Sequence, residues 1–130
     1  MPSVHDWIKA YGHAWEDRDD HAVGELFAPD TTYRSHPFRE PLRGRDAIRA
    51  YWRQATGSLT SISLTFGRPI TDGAHAAVEW WAILRGDEGK ATLPGALILR
   101  FGQDGRCEEL REYWHLDEDH AIPAPDGWGR

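Results

Sequence analysis

The sequence predicts an α+β fold, three helices followed by a curved, mostly antiparallel sheet, and three observations predict it. Apolar residues recur at helical spacing up to about Thr56 and alternate with polar ones from Ser61 onward. The connections Gly86-Asp87-Glu88-Gly89 and Gly102-Gln103-Asp104-Gly105 are short enough to join antiparallel neighbours. Pro94-Gly95, inside an otherwise continuous strand pattern, marks a bulge or an edge, the feature that bends a sheet around a cavity.

The first helix opens at Ser3, with Asp6 three residues on in a capping-box arrangement, and Val4, Trp7, Ile8, Tyr11 and Trp15 form its apolar stripe. Tyr11 and Trp15 either belong to the core or line a pocket. The run Glu16-Asp17-Arg18-Asp19-Asp20 breaks this helix and reads as a solvated turn, because it lacks the spacing of a calcium loop. A short second helix carries Val23, Leu26 and Phe27, and Asp30 with Thr31 and Thr32 favours leaving it for an extended segment through Tyr33 to His36. Pro37 and Pro41 hold His36 and Glu40 extended, and Gly44 permits the turn into a third helix from Arg45 to about Thr56. Ile48, Tyr51 and Trp52 lie on one side of that helix and Arg45, Arg49 and Arg53 on another. With Arg34, Arg39 and Arg43 these arginines make either an anion site or a solvated face with local ion pairs.

In the sheet half, Ile62, Leu64 and Phe66 alternate with Ser and Thr until Pro69 and a Thr71-Asp72-Gly73 turn. His75 to Arg85, Lys90 to Phe101 and Arg106 to Leu116 follow as strands. Asp117 to Arg130 reads as a tail whose Trp128 either folds over a pocket mouth or frays.

At 130 residues and 14.8 kDa the chain fits one domain, with its core from about Val4 to Leu116. A formal charge of −6 argues against a nucleic-acid or anionic-membrane partner. Cys107 stands alone, so a reducing compartment fits, and MPSVHDW at the N-terminus has no basic region followed by an apolar run; the expected location is cytoplasmic. No cofactor is expected, since there is no Gly-rich phosphate loop. No metal is expected either, since His115 and His120 lack a second ligand pair at suitable spacing.

Leu26-Phe27-Ala28-x-Asp30, then Glu40-Pro41-x-x-Gly44-x-x-Ala47-Ile48, Tyr51-Trp52, Phe101-x-x-Asp104-Gly105-Arg106 and Arg111-Glu112-Tyr113-Trp114 occur in an order that resembles the nuclear transport factor 2-like superfamily. Within it the chain is similar to the SnoaL-like group, which includes polyketide cyclases and ketosteroid isomerases. The resemblance implies a cone-shaped, cystatin-like roll with a pocket between sheet and helices, a small-molecule ligand, and a homodimer through the outer sheet face, where Trp81 and Tyr113 would be exposed. Carried over residue by residue, the isomerase tyrosine that donates to the oxyanion falls on Tyr11, its general-base aspartate on Ser35 and its protonated aspartate on Leu97. Ser35 cannot serve as that base and Leu97 cannot donate, so steroid isomerisation by the family route is not expected.

The remaining candidates for catalysis are His36, Tyr11 and Glu112. His36 is either a general base, with Tyr11 or Tyr33, or a loop residue bonded to backbone. The same alignment turns Leu110, Glu112 and Trp114 inward in the last strand and Val78, Trp80 and Ala82 inward two strands earlier. Glu112 would then be a carboxyl among tryptophans, with its pKa raised by burial, or else the partner of Arg100 or Arg111. Trp15, Tyr33, Ser35, Phe38, Trp52, Trp80, Leu97, Leu110 and Trp114 are the candidate ligand-binding residues, forming an aromatic pocket for a ring-containing or apolar molecule. The competing reading is a non-catalytic binding or dimerisation module whose pocket is filled by its own tryptophans.

Overall fold

The computed structural model describes residues 3–130 and has three helices against one eight-stranded sheet. Helix α1 (Val4–Glu16) starts at a complete capping box, in which the Ser3 hydroxyl accepts from the Asp6 amide and the Asp6 carboxylate accepts from the Ser3 amide. Its stripe of Trp7, Ile8, Tyr11 and Trp15 is buried. The acidic run is a turn, as its composition indicates, and Asp19 caps α2 (Asp20–Glu25) by accepting from Ala22.

Strand β1 (Phe27–Arg34) begins earlier than local composition indicates, corrected here by long-range hydrogen bonds. The Leu26 carbonyl accepts from the Trp7 indole at 2.8 Å and from the Cys107 amide at 3.0 Å, so the chain leaves helical geometry there rather than at Asp30. Pro29, which lacks an N–H, lies where the pairing of β1 shifts register between Phe27 and Thr32. After β2 (Leu42–Arg43), Gly44 takes a φ of +83° that a side chain would resist and leads into α3 (Arg45–Thr56). On α3, the largely buried Arg49 pairs with Glu25 and Asp46 and the exposed Arg53 pairs with Asp20, which is the locally paired arrangement.

The remaining strands are β3 (Leu59–Phe66), β4 (Ile70–Asp72), β5 (His75–Gly86), β6 (Gly89–Phe101), β7 (Cys107–Trp114) and β8 (Asp117–Glu118). The sheet runs β2-β1-β7-β6-β5-β3, with β4 on β5 and β8 on β6, and every pair is antiparallel except β1 with β7. Pro94 marks a local edge rather than a bulge, since β5 and β6 stay in register through Pro94-Gly95 and pairing with β7 stops at Gly95. The Pro94 carbonyl accepts from His115, so its missing N–H faces the same side, where β7 has just ended.

The tail neither frays nor reaches the inner face of the sheet. Trp128 packs edge-on against Trp81 at 5.0 Å and donates to the Trp80 carbonyl, Trp81 donates to the Ile122 carbonyl, and the Arg68 amide donates to Gly129. Trp81, expected to be exposed, is therefore half-covered by its own chain. Tyr113, on the same face, remains 47% exposed. Among the described residues no helix is long and apolar enough to cross a membrane.

Candidate functional site

Alternation along β5 and β7 turns Trp80, Glu112 and Trp114 toward the helices, and α1 and α3 lay Trp15, Tyr51 and Trp52 over them. A hollow of about 170 Å3 lies between, lined by these six residues and by Tyr33, Ala55, Thr56, Leu59, Leu84 and Leu93. Larger depressions exist, of about 490 Å3 beside Arg18 and Arg53 and about 370 Å3 between Val4 and Phe101, but no buried ionisable side chain lines them. The smaller hollow is the one that holds a perturbed acid, which makes it the candidate site.

Glu112 is 6% exposed, and burial pushes its carboxyl up to about 8, with the Tyr33 hydrogen bond partly opposing the rise. Tyr33 donates to Glu112 Oε1 at 3.2 Å, and its own oxygen lies 3.3 Å from the hydroxyl of Tyr11, which is then the donor to it. Burial, and next the nearby Glu112, raises both tyrosines well above their ordinary range, so both stay protonated and act as donors. The result is a buried relay from Tyr11 through Tyr33 to a carboxyl that is mostly neutral at pH 7. The sequence alternative, an ion pair for Glu112, is not formed; Arg100 pairs with Glu108 and Arg111 with Glu109.

Trp15, Tyr33, Trp52, Trp80, Glu112 and Trp114 line the hollow; Tyr11, Leu97 and Leu110 are fully buried behind it in the core. Leu97 is the register partner of Glu112 across β6 and β7, so an acid stands directly opposite the position where the resemblance seeks one. Phe38 has to be corrected: it is 91% exposed, carried outward by the turn after Pro37, and walls nothing. His36 also lies outside the lining. Its Nδ1 accepts from the Phe38 amide at 3.3 Å and its ring packs on Trp114, whose indole donates to the Ser35 carbonyl at 2.8 Å. Ser35 thus contributes its backbone to the rim rather than a side chain to the lining. The lining also includes Tyr51, Ala55 and Thr56 of α3 and Leu59, Leu84 and Leu93, none of which sequence reasoning places in the pocket. Extending the inward series Val78, Trp80, Ala82 by two residues finds Leu84, and Leu93 is the register partner of Ala82.

Two walls carry unmet polar groups. The indole N–H groups of Trp52 and Trp80 are buried with no hydrogen-bond partner among the described residues, a state that costs about 1–3 kcal/mol each. Room for the Trp80 ring comes from Gly95. A Cβ there would fall 2.5 Å from Cζ2 and 2.7 Å from Cε2 of that indole, and 2.8 Å from the Tyr113 carbonyl oxygen. Cys107 is buried, its thiol pushed up to about 12 by burial and donating to the Glu109 carbonyl, which makes it a packing residue. Among the described residues no three His, Cys, Asp or Glu side chains gather as a metal site.

Comparison with known proteins agrees with this architecture. The profile of the SnoaL-like domain matches residues 8–110. A steroid Δ-isomerase from Nocardioides simplex is 24% identical over 103 residues, 79% of this chain and 82% of that protein. The structure of a candidate SnoaL-like polyketide cyclase from Shewanella denitrificans superposes with a TM-score of 0.77 at 14% identity, covering 88% of this chain and 92% of that one. An epoxide hydrolase from M. tuberculosis superposes at 0.70 with 20% identity, over 84% and 80%. At these identities the structural likeness carries the fold, and chemistry has to be argued from the site.

Proposed function

The chain belongs to the SnoaL-like domain family, and from that premise we propose that it binds a small, mostly apolar molecule in the hollow and performs acid–base chemistry on it through Glu112. Tyr33 and Tyr11 form the hydrogen-bond relay behind the acid. Trp15, Trp52, Trp80 and Trp114 are the walls.

The observation that carries this reading is the Glu112 carboxyl, buried among aromatic rings, bonded through one oxygen to Tyr33 and held protonated up to about pH 8. A neutral acid in such a setting can give a proton to a ligand atom, and the carboxylate left behind can take one back. The relatives are named for steroid isomerisation, polyketide cyclisation and epoxide hydrolysis. All three are reactions that proton transfer accelerates. His36, one layer outside behind Trp114, receives a rim role in this proposal.

The test is a thermal-shift screen with neutral one-ring compounds, each hit then incubated with the protein and followed by NMR for conversion. Glu112→Gln is expected to bind the hit but slow conversion about 100-fold or more, while His36→Ala slows it less than about tenfold. Undiminished conversion by Glu112→Gln would overturn the assignment.

A non-catalytic module is the second reading. It is favoured by how much of the interior the protein's own rings fill, with Trp7 stacked on Tyr11 at 5.0 Å and Trp15 edge-on to Trp52 and Trp80. It predicts hits that bind without conversion. A homodimer fits the portion of the outer face that the tail leaves open, around Ile70 and Tyr113, and the single buried thiol fits a cytoplasmic location.

A further inference from the structure

Glu112 brings two oxygens to the hollow and uses one. Oε1 accepts from Tyr33, while Oε2 has no hydrogen-bond partner among the described residues. Unlike the Trp52 and Trp80 indole nitrogens, Oε2 is not sealed off, although the residue is only 6% exposed. Since the side chain turns toward the helices and lines the hollow, its open oxygen is offered to whatever occupies that space.

The rest of the lining supplies no counter-charge. The other titratable groups around Glu112 are Tyr33 of β1 and Tyr51 of α3, with Tyr11 of α1 behind them, and no lysine, arginine or histidine is among the lining residues. From β6 its register partner is Leu97, and His36 lies outside, behind Trp114. Six of the lining residues, Trp15, Tyr33, Tyr51, Trp52, Trp80 and Trp114, are aromatic, the side chains whose electron-rich faces attract cations. An anion would meet a carboxyl and no positive group; a cation would meet what the carboxylate lacks.

Size and hydrogen bonding narrow the cation. The hollow, about 170 Å3, is close to the roughly 150 Å3 of an apolar cavity that holds benzene. Trp114, 37% exposed, stands at its mouth. A primary ammonium would bring three N–H groups to one open carboxyl oxygen. A tertiary one brings a single N–H and covers its charge with alkyl groups that suit apolar walls, and a buried ion pair is favourable only when such matching is complete.

We infer that the hollow selects a small alkylated ammonium ion of about one ring, whose N–H donates to Oε2 of Glu112 while its alkyl groups lie against the aromatic walls. The inference rests on the reading of this hollow as a ligand site and adds a charge to the mostly apolar molecule proposed for it. An ammonium ion entering from solvent sends the carboxyl proton to water, whereas a neutral amine takes that proton onto its nitrogen. Either way the bound pair is ammonium and carboxylate.

The test compares three one-ring probes of similar size and different charge on the intact chain: protonated N-methylpyrrolidine, neutral N-methylpyrrolidone and anionic cyclopentanecarboxylate. Calorimetric titration at neutral pH, below the value of about 8 for the Glu112 carboxyl, in two buffers of different ionisation enthalpy gives both the affinity and the protons exchanged. The amine is expected to bind about tenfold or more tightly than either other probe and to release about one proton per molecule bound, while the lactam releases none. Glu112→Gln is expected to lose both the preference and the proton release while still binding the lactam. Should the lactam or the carboxylate bind within about tenfold of the amine, or the amine bind without releasing a proton, or its preference persist in Glu112→Gln, the ammonium inference is overturned and the ligand-site reading survives. If none of the three binds up to tens of millimolar, both fall. The proton count needs only the unmodified protein, so it decides the matter even where Glu112→Gln fails to fold.

Discussion

At the scale of single residues, Glu112 makes stability depend on pH in a direction opposite to that of a salt-bridged carboxylate. The folded state keeps its proton up to about pH 8, whereas the unfolded chain loses it near the ordinary 4.5, so the folded state binds more protons across that window. Stability therefore falls as pH rises from about 4.5 to about 8 and then levels off, by up to about 5 kcal/mol at 1.36 kcal/mol per unit. Denaturant unfolding at pH 5 and pH 9 checks this, and Glu112→Gln is expected to lose that part of the slope. Tyr33→Phe removes the hydrogen bond that favours the carboxylate, so 13C titration of the Glu112 carboxyl is expected to place its pKa above the wild-type value. Glu112 was legible in the sequence because strand alternation puts it on one face with Trp114 and the family resemblance turns that face inward, among tryptophans. Tyr33 was not legible as its partner, because the two lie 79 residues apart.

Among the elements, β6 decides the shape of the hollow. Gly95 sits between Trp80 of β5 and Trp114 of β7, and the absence of a side chain lets the Trp80 indole lie across it. Gly95→Ala would drive a methyl group into that ring and toward a backbone oxygen that cannot move freely. The expected cost is about 1–3 kcal/mol in thermal or denaturant unfolding, accompanied by a change in tryptophan fluorescence. An unchanged melting curve would mean that the ring has other room. Pro94-Gly95 was legible as a special point in a strand. That it serves an edge and a ring cradle depends on where β7 ends and β8 begins, which Pro94 and Gly95 do not encode.

For the whole molecule, the tail ties the two faces of the sheet together at one residue. Trp80 presents its side chain to the hollow and its carbonyl to Trp128 on the opposite face. Trp128→Ala is expected to destabilise the fold by about 1–2 kcal/mol, less than truncating a fully buried tryptophan, and to expose Trp81, seen as a red shift in emission. Uncovering that apolar face should also raise self-association, measured by sedimentation at increasing concentration. Equal stability and unchanged sedimentation would reduce the tail to an ornament of the surface.

The three helices, the four longer strands after α3 apart from their short neighbours, and the antiparallel hairpins were determined by the sequence alone, because hydrophobic period and turn chemistry are local properties. Which face of β5 and β7 turns inward came from the family resemblance, and the short strands β2, β4 and β8 read in the sequence as loop, turn and tail. Tertiary structure decided the parallel pairing of β1 with β7 that puts Tyr33 onto Glu112, the outward swing of Phe38, the position of His36 behind Trp114 and the docking of Trp128 on the outer face. Local alternation states which face a side chain takes, but which distant strand lies beside it is settled by packing and by backbone hydrogen bonds that close only when the whole sheet is assembled.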